Sequence, residues 1–345
     1  MMRKLRWLIT ALTALGLMTG SAMAQEPLVE PLDPPAEVSV AFVPILKFAT
    51  MYVAQERGLF EKYGLDVSID PVASGTEAIA FLEQGQIDVG GIAIVTSLWN
   101  GWNQGIDIRV FAPGGLEPFE NSPTQLMVRT ELFESGEVDS VEDLEGRVVA
   151  VAGGPGSGGE YLLAKALERG GLTIRDVQSQ NLANADMPAA FENGSVDAAI
   201  LGSPYADQVE AAGTGTTLAT DLVPGLMTVA FVGSGEFLTE RPEVANRFAL
   251  ALLEAARLMQ GEDYYDEENI AAYLRYVNST EEAIKIGTPV FYDPNLTIPI
   301  EGLADVERVH RENGRTEYEE PIDLGNVVTT EFVEFALEAA GTYQP

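Results

Sequence analysis

Few side chains in this sequence could do covalent chemistry. There is no cysteine and a single histidine, His310. That removes thiol nucleophiles, Cys/His dyads, disulfides, Cys-based metal sites and a lipidated N-terminal cysteine. His310 stands in a charged stretch, residues 307–312, and reads as a surface residue. Gly154-Pro155-Gly156-Ser157-Gly158-Gly159 satisfies the spacing G-x-G-x-x-G. A dinucleotide site would also want an acid closing the next strand about 20 residues on, and Gln178–Asn181 offers none. A phosphate loop would need Gly-Lys-Ser/Thr, which is absent. Glycines that let a ligand approach backbone N–H groups are the better reading. Asp88 and Asp197 could be imagined as paired acids, yet each precedes an apolar run in a repeated position, so a turn or capping role is favoured. No D-x-[DN]-x-[DN]-G loop occurs, and neither metal nor cofactor is expected.

The elements that must position such residues come in two copies. Gly85-Gln86-Ile87-Asp88-Val89-Gly90 returns in altered form as Gly194-Ser195-Val196-Asp197-Ala198-Ala199, with the aspartates 109 positions apart. The same offset pairs Val40-Ala41-Phe42 with Val149-Ala150-Val151, and Tyr52 with Tyr161. Gly64-Leu65 and Gly171-Leu172 follow at an offset of 107. An internal repeat is the signature of a duplicated unit. In the first copy, strands are expected at 38–43, 67–72 and 87–92, with helices at 49–63 and 76–84. In the second, strands fall at 148–152, 178–181 and 196–201, with helices at 159–169 and 187–192. Apolar strands alternating with helices indicate a parallel sheet covered on both faces. Segments 125–129 and 228–233 read as strands crossing between two doubly wound α/β lobes. Beyond residue 237 the chain is helical, at 243–260, 267–277, 280–286, 303–313 and 330–340, and is expected to cap the first lobe. The expected organisation is lobe 1 from 37–124 plus 229–345 and lobe 2 from 125–228.

The amino terminus reads as a secretion signal. Arg3, Lys4 and Arg6 precede an apolar run, 7–20, and Ala22-Met23-Ala24 supplies a small-x-small cleavage pattern. The run is too short to span a bilayer at about 20 residues per crossing. Cleavage after Ala24 is expected, followed by an extended leader, 25–36, rich in proline. The protein is therefore expected outside the cytoplasm. Acidic residues number 53 against 20 basic, for a net charge of −33. Three basic residues lie in the signal, so removing it takes the charge to −36. Such a surface repels nucleic acid and anionic lipid, and a monomer is expected.

In open α/β sheets ligands sit beyond the carboxyl ends of the strands, where helix N-termini present free N–H groups. Two such sheets facing one another make a cleft that closes on a solute. Its walls are expected from turns 44–49, 73–76 and 93–99 of the first lobe, and 153–159, 183–186 and 203–205 of the second. The candidate ligand-binding residues are Lys47, Phe48, Tyr52, Ser74, Thr76, Trp99, Trp102, Asn121, Gly154, Ser157, Asn184, Asp186, Ser203 and Tyr205. Core packing is an equal account of both tryptophans, and turn formation of the Asn, Asp and Ser residues.

Several segments resemble a known family. They are Phe48-Ala49-Thr50-Met51-Tyr52-Val53-Ala54-Gln55-Glu56-Arg57-Gly58-Leu59-Phe60-Glu61-Lys62-Tyr63-Gly64-Leu65-Asp66-Val67, Gly85-Gln86-Ile87-Asp88-Val89, Val141-Glu142-Asp143-Leu144-Glu145-Gly146-Arg147-Val148-Val149-Ala150 and Gly194-Ser195-Val196-Asp197-Ala198. The chain resembles the family of bacterial sulfonate-, taurine-, thiamine-pyrimidine- and riboflavin-binding proteins over roughly residues 38–260. The resemblance implies a type II periplasmic-binding-protein fold hinged on two crossing strands. It also implies a solute-binding role in an ABC import system, with a membrane permease and its ATPase as partners. The family includes pyrimidine-precursor synthases that rely on an active-site histidine and a Cys-rich iron motif. The absence of cysteine argues against that enzyme reading here.

The ligand class follows from what the turns carry. They hold one cation, Lys47, and the aromatics Phe48, Tyr52, Trp99, Trp102, Phe119, Tyr161 and Tyr205. A flat heterocycle would stack between such rings, so riboflavin is expected first and a thiamine-pyrimidine precursor second. The alternative is an alkanesulfonate-, taurine- or nitrate-like anion held by helix N-termini and hydroxyls.

Overall fold

The computed structural model describes residues 27–72, 74–202 and 205–344. The expected signal peptide and its cleavage site lie outside these residues. The first lobe opens with β1 (Ala36–Phe42), α1 (Ala49–Glu56), α2 (Leu59–Lys62), β2 (Leu65–Pro71), α3 (Gly75–Glu83), β3 (Val89–Ala93), α4 (Thr96–Asn103) and β4 (Ile108–Pro113). The chain then crosses into β5 (Thr124–Arg129), α5 (Thr130–Ser135), β6 (Val148–Val151), α6 (Gly158–Glu168), β7 (Gln178–Asn181), α7 (Met187–Asn193), β8 (Ala198–Gly202), α8 (Tyr205–Ala211) and β9 (Gly215–Ala219). It returns through β10 (Val229–Ser234) to α9 (Gly235–Glu240), α10 (Pro242–Arg257), α11 (Glu267–Tyr276), α12 (Glu281–Ile286), α13 (Ile300–Glu312) and α14 (Glu331–Ala340).

Two five-stranded sheets result, ordered β2-β1-β3-β10-β4 and β7-β6-β8-β5-β9. In each, the first three strands are parallel and the crossing strand, β10 or β5, runs antiparallel between its neighbours. The duplication reaches the register itself. Val40 pairs with Val89 in the first sheet and Val149 with Ala198 in the second. The innermost strands are apolar along their length because helices cover both faces, and β3 and β8 are buried but for their last residues. The single helix expected at 49–63 is broken into α1 and α2. Gly58 stands at the break with φ +67°, a conformation that ends a helix and that glycine adopts without strain.

The carboxyl-terminal helices do not all cap lobe 1. Helix α10 packs against α1 and α14, and α14 lies on β4. Helix α13 instead lies along α6 of lobe 2. Asp305 accepts a hydrogen bond from the Tyr161 hydroxyl at 2.9 Å and pairs with Lys165 at 3.1 Å. Arg308 pairs with Glu168 at 3.2 Å. The chain then comes back to lobe 1, where the Val110 N–H donates to the Val327 carbonyl at 2.9 Å. The lobes are therefore joined a third time, beyond the two crossing strands. The apolar stripe of α13 has two surfaces to bury against, and helical periodicity does not say which.

Candidate functional site

Helices α3, α4 and α6 begin at the carboxyl ends of β2, β3 and β6, and their first turns meet where the lobes touch. Ser74 caps α3, its Oγ accepting from the Glu77 N–H at 3.3 Å. Ser157 caps α6 by accepting from the Glu160 N–H at 3.2 Å, and its hydroxyl donates to the Ala152 carbonyl at 3.1 Å. Helix α4 starts after Val95, which has no side-chain oxygen to offer its first turn. The Thr76 hydroxyl donates to the Ser97 hydroxyl at 3.3 Å, tying α3 to α4. Across the gap, the N–H and hydroxyl of Thr96 face the Gly156 carbonyl at 3.4 and 3.5 Å.

The glycine-rich turn is shaped by its backbone. Gly153, Gly154 and Gly156 take φ values of +91°, +70° and +77°, which L side chains rarely adopt. Its N–H groups are not all open to a ligand. The Gly156 N–H donates to the carboxylate of Glu160 at 2.8 Å, and that carboxylate is clamped by Arg315 at 2.6 and 2.9 Å. A protein carboxylate thus takes up a backbone N–H of the turn expected to receive a ligand, and Arg315 supplies its counter-charge.

The structure separates the candidate residues. Trp99 and Trp102 are core residues, not a stacking platform. Trp99 is fully buried and donates from Nε1 to Nδ1 of His310, and Trp102 donates from Nε1 to the Ile108 carbonyl. Phe48 is buried edge-on to Phe231. Tyr52 is buried, stacked on Tyr276 at 4.8 Å, with its hydroxyl on the Ile45 carbonyl. Tyr161 is buried as well. Of the seven aromatics, Phe119 is exposed and Tyr205 half-buried. Helical spacing put both tryptophans on one face, as expected, but that face is turned inward.

Lys47 is not a free cation. Its ammonium pairs with Glu117, which is buried, and donates to the Thr228 hydroxyl at 2.6 Å. Ser74 and Thr76 lie exposed at the start of α3; Gly154 and Ser157 form the turn before α6. Asn184 and Asp186 are exposed in the turn before α7, and Asn121 is exposed with φ +57°. Ser203 lies outside the described residues. Ser74, Thr76, Gly154 and Ser157 are therefore brought together around the lobe contact. Lys47, Phe48, Tyr52 and the tryptophans are drawn into packing.

His310 is the sharpest correction. It is buried, not on the surface, and lies edge-on to Tyr161 at 6.1 Å between ring centroids. Burial pushes its pKa down to about 4, against the pull of the Glu160 charge. Sequence reading also missed Thr96, Ser97, Glu160 and Arg315. Thr96 and Ser97 stand inside the turn already named, 93–99, where Trp99 drew the attention. The Glu160–Arg315 pair spans 155 residues and has no local signal. Among the described residues, no group of three or more His, Cys, Asp or Glu is arranged to hold a metal ion. No helix among them is long and apolar enough to cross a membrane.

A family model described as NMT1/THI5 like matches residues 46–262. Over 217 residues the chain is 27% identical to a protein of Brucella abortus named as a binding protein, covering 59% of this chain and 60% of that one. That alignment spans less than two thirds of the relative's length. Over 157 residues the chain is 31% identical to a protein of Escherichia coli named as aliphatic sulfonates-binding, covering 45% and 46% of the two. Over 258 residues it is 25% identical to a riboflavin-binding protein of Chloroflexus aurantiacus, covering 71% and 69%. The crystal structure of the periplasmic aliphatic sulphonate binding protein of Escherichia coli matches with a TM-score of 0.66 at 22% identity, over 86% of this chain and 92% of that one. The fold is thus the expected type II periplasmic-binding-protein fold.

Proposed function

The chain belongs to the NMT1/THI5-like family, and from that premise we propose that it is the extracytoplasmic solute-binding component of an ABC import system, capturing a small sulfonate-like anion between its lobes. The observation that carries this reading is the meeting of three helix beginnings at the lobe contact, with the hydroxyls of Thr76, Thr96 and Ser97 among them. Free N–H groups and the positive ends of helix dipoles favour an oxyanion there. Five of the seven aromatics expected to hold a heterocycle are buried, which removes the argument that put riboflavin first. The relatives named for sulfonates point the same way. Capture implies delivery to a permease driven by a cytoplasmic ATPase.

A flat heterocycle remains the second reading, favoured by the riboflavin-binding relative and by Phe119, which is 58% exposed. A thermal-shift comparison decides between them, since a ligand that binds the folded state raises its melting temperature by mass action. Ethanesulfonate, taurine, nitrate, riboflavin and a thiamine-pyrimidine precursor form the panel. A rise with a sulfonate and none with riboflavin is expected. A rise with riboflavin alone would overturn the anion reading, and release of a modified product from any of them would overturn capture. Sequencing the amino terminus of the secreted protein tests cleavage after Ala24.

A further inference from the structure

The peptide on either side of Gly156 holds the lobe contact from two directions. Its carbonyl faces the N–H and hydroxyl of Thr96, at the start of α4 in lobe 1. Its N–H donates to Glu160, in the first turn of α6 in lobe 2, at 2.8 Å. Glu160 is only 3% exposed, and Arg315 grips both of its oxygens at 2.6 and 2.9 Å. Arg315 is itself fixed, because its N–H donates to the His310 carbonyl at 2.9 Å. Two residues on, the Glu317 N–H donates to Asn100 of α4 at 2.9 Å, and its carboxylate accepts from Gln104, just past the end of α4, at 2.9 Å. The segment that follows α13 therefore touches both lobes, α6 through Arg315 and α4 through Glu317.

We propose that Arg315 is a positioning residue for solute capture: acting through Glu160, it sets the Gly156 peptide as the contact on which the two lobes close. The proposal rests on the reading of the interlobe cleft as the capture site. Four features of the geometry support it. A buried carboxylate needs a partner to hold it in place, and Arg315 grips both oxygens of Glu160, so the orientation of Glu160 depends on Arg315. The Gly156 peptide, with φ +77° and its N–H bound to Glu160, is held in a conformation that ordinary side chains disfavour. A Cβ added at Gly156 would lie 2.5 Å from the Thr96 hydroxyl, so glycine is needed at this contact on steric grounds as well. The Thr96 donors make long hydrogen bonds to this carbonyl, 3.4 and 3.5 Å against about 2.7–3.2 Å for an ordinary N–H···O bond. A closing movement of a few tenths of an ångström shortens them.

The test uses the processed full chain, with Arg315→Gln, Arg315→Lys and Thr96→Val beside the unaltered protein. Small-angle scattering without ligand reads the separation of the lobes, and calorimetric titration reads affinity with ethanesulfonate and riboflavin as probes. Arg315→Gln and Thr96→Val are expected to raise the radius of gyration of the unliganded protein. Both should weaken the probe that binds by at least about fivefold, the lower end of ordinary coupling between sites. Arg315→Lys, which keeps the charge but loses the two-pronged grip, is expected to fall between. A merely structural Arg315 would lower the melting temperature and leave scattering and affinity unchanged, which would overturn the proposal. Thr96→Val keeps the test decisive if Arg315→Gln fails to fold. If neither probe binds the unaltered protein, the anion and riboflavin readings both fail, and the scattering comparison alone still decides the lobe contact.

Discussion

The Nε1–H of Trp99 donates to Nδ1 of His310 at 2.9 Å, so that helix α4 of lobe 1 and helix α13 are joined by a hydrogen bond out of contact with water. An indole only donates, so Nδ1 must be unprotonated, and the neutral ring carries its proton on Nε2. Protonating the ring at Nδ1 would set two donors against each other in a desolvated place.

This arrangement has a pH signature. The histidine pKa falls from 6.5 to about 4 on folding because burial disfavours the imidazolium. The unfolded chain then binds this proton more readily than the folded one at pH values between the two. Stability is therefore lost as pH drops from about 6.5 to about 4, by on the order of 3 kcal/mol in full. His310→Gln, which retains an acceptor for Trp99, should flatten the dependence of the urea midpoint on pH across that window, whatever its effect at pH 8. Identical slopes for the two proteins would show that the ring titrates normally.

Lys47 and Glu117 give a second prediction, because the carboxylate of the pair is nearly closed off from water. Glu117 is 5% exposed and Lys47 supplies its counter-charge. Lys47→Met leaves a buried carboxylate alone and is expected to cost about 3 kcal/mol in chemical denaturation. Glu117→Gln frees the ammonium instead and should strengthen ethanesulfonate binding. A Lys47→Met protein of unchanged stability that no longer binds ethanesulfonate would make Lys47 a direct ligand group.

The hydroxyls at the helix beginnings yield a third. Thr76 and Ser97 bond one another at 3.3 Å on the lobe 1 side of the lobe contact. Replacing them together by Val and Ala removes two donors from the expected oxyanion position. Each hydrogen bond to a charged group is worth about 1.5–3 kcal/mol, so calorimetry should read an affinity loss of about a hundredfold or more. The melting temperature of the unliganded protein should move little, since Thr76 is exposed and Ser97 half-exposed. Unchanged affinity would place the ligand elsewhere.

The fold was legible where pattern is local, and the site was not. Repetition at 109 residues located both lobes, since the strands carrying it pair with the same offset, Val40 with Val89 and Val149 with Ala198. The turns beyond those strands were legible too, because a strand that ends at a sheet edge fixes where its turn must lie. Which side chain in a turn faces the cleft depends on packing from elsewhere. Trp99 is turned inward by His310, Lys47 is neutralised by Glu117, and Glu160 is held by Arg315, over separations of 211, 70 and 155 residues. Composition cannot anticipate such pairings. An aromatic in a cleft turn and an aromatic in the core beneath it have the same sequence signature.

Asp88 and Asp197 show the other side of this, since their shared role was visible in the repeat. Asp88 accepts from the Ser39 N–H at 2.9 Å and Asp197 from the Val148 N–H at 3.0 Å, the same two positions 109 residues apart. Each is also held by an arginine, Arg241 at 3.1 Å and Arg129 at 3.3 Å. Each aspartate ties the residue just before one strand, β3 or β8, to the neighbouring strand, β1 or β6. Asp88→Asn and Asp197→Asn keep the shape but lose the charge that strengthens these bonds, and an expected cost of about 1–3 kcal/mol follows for each. Because the two sites lie in different sheets, the losses should add to within a few tenths of a kcal/mol in the double variant. Urea denaturation measures both quantities, and calorimetry should find ligand affinity in the folded variants unaltered. Loss of binding at an unchanged urea midpoint would make these acids ligand groups instead.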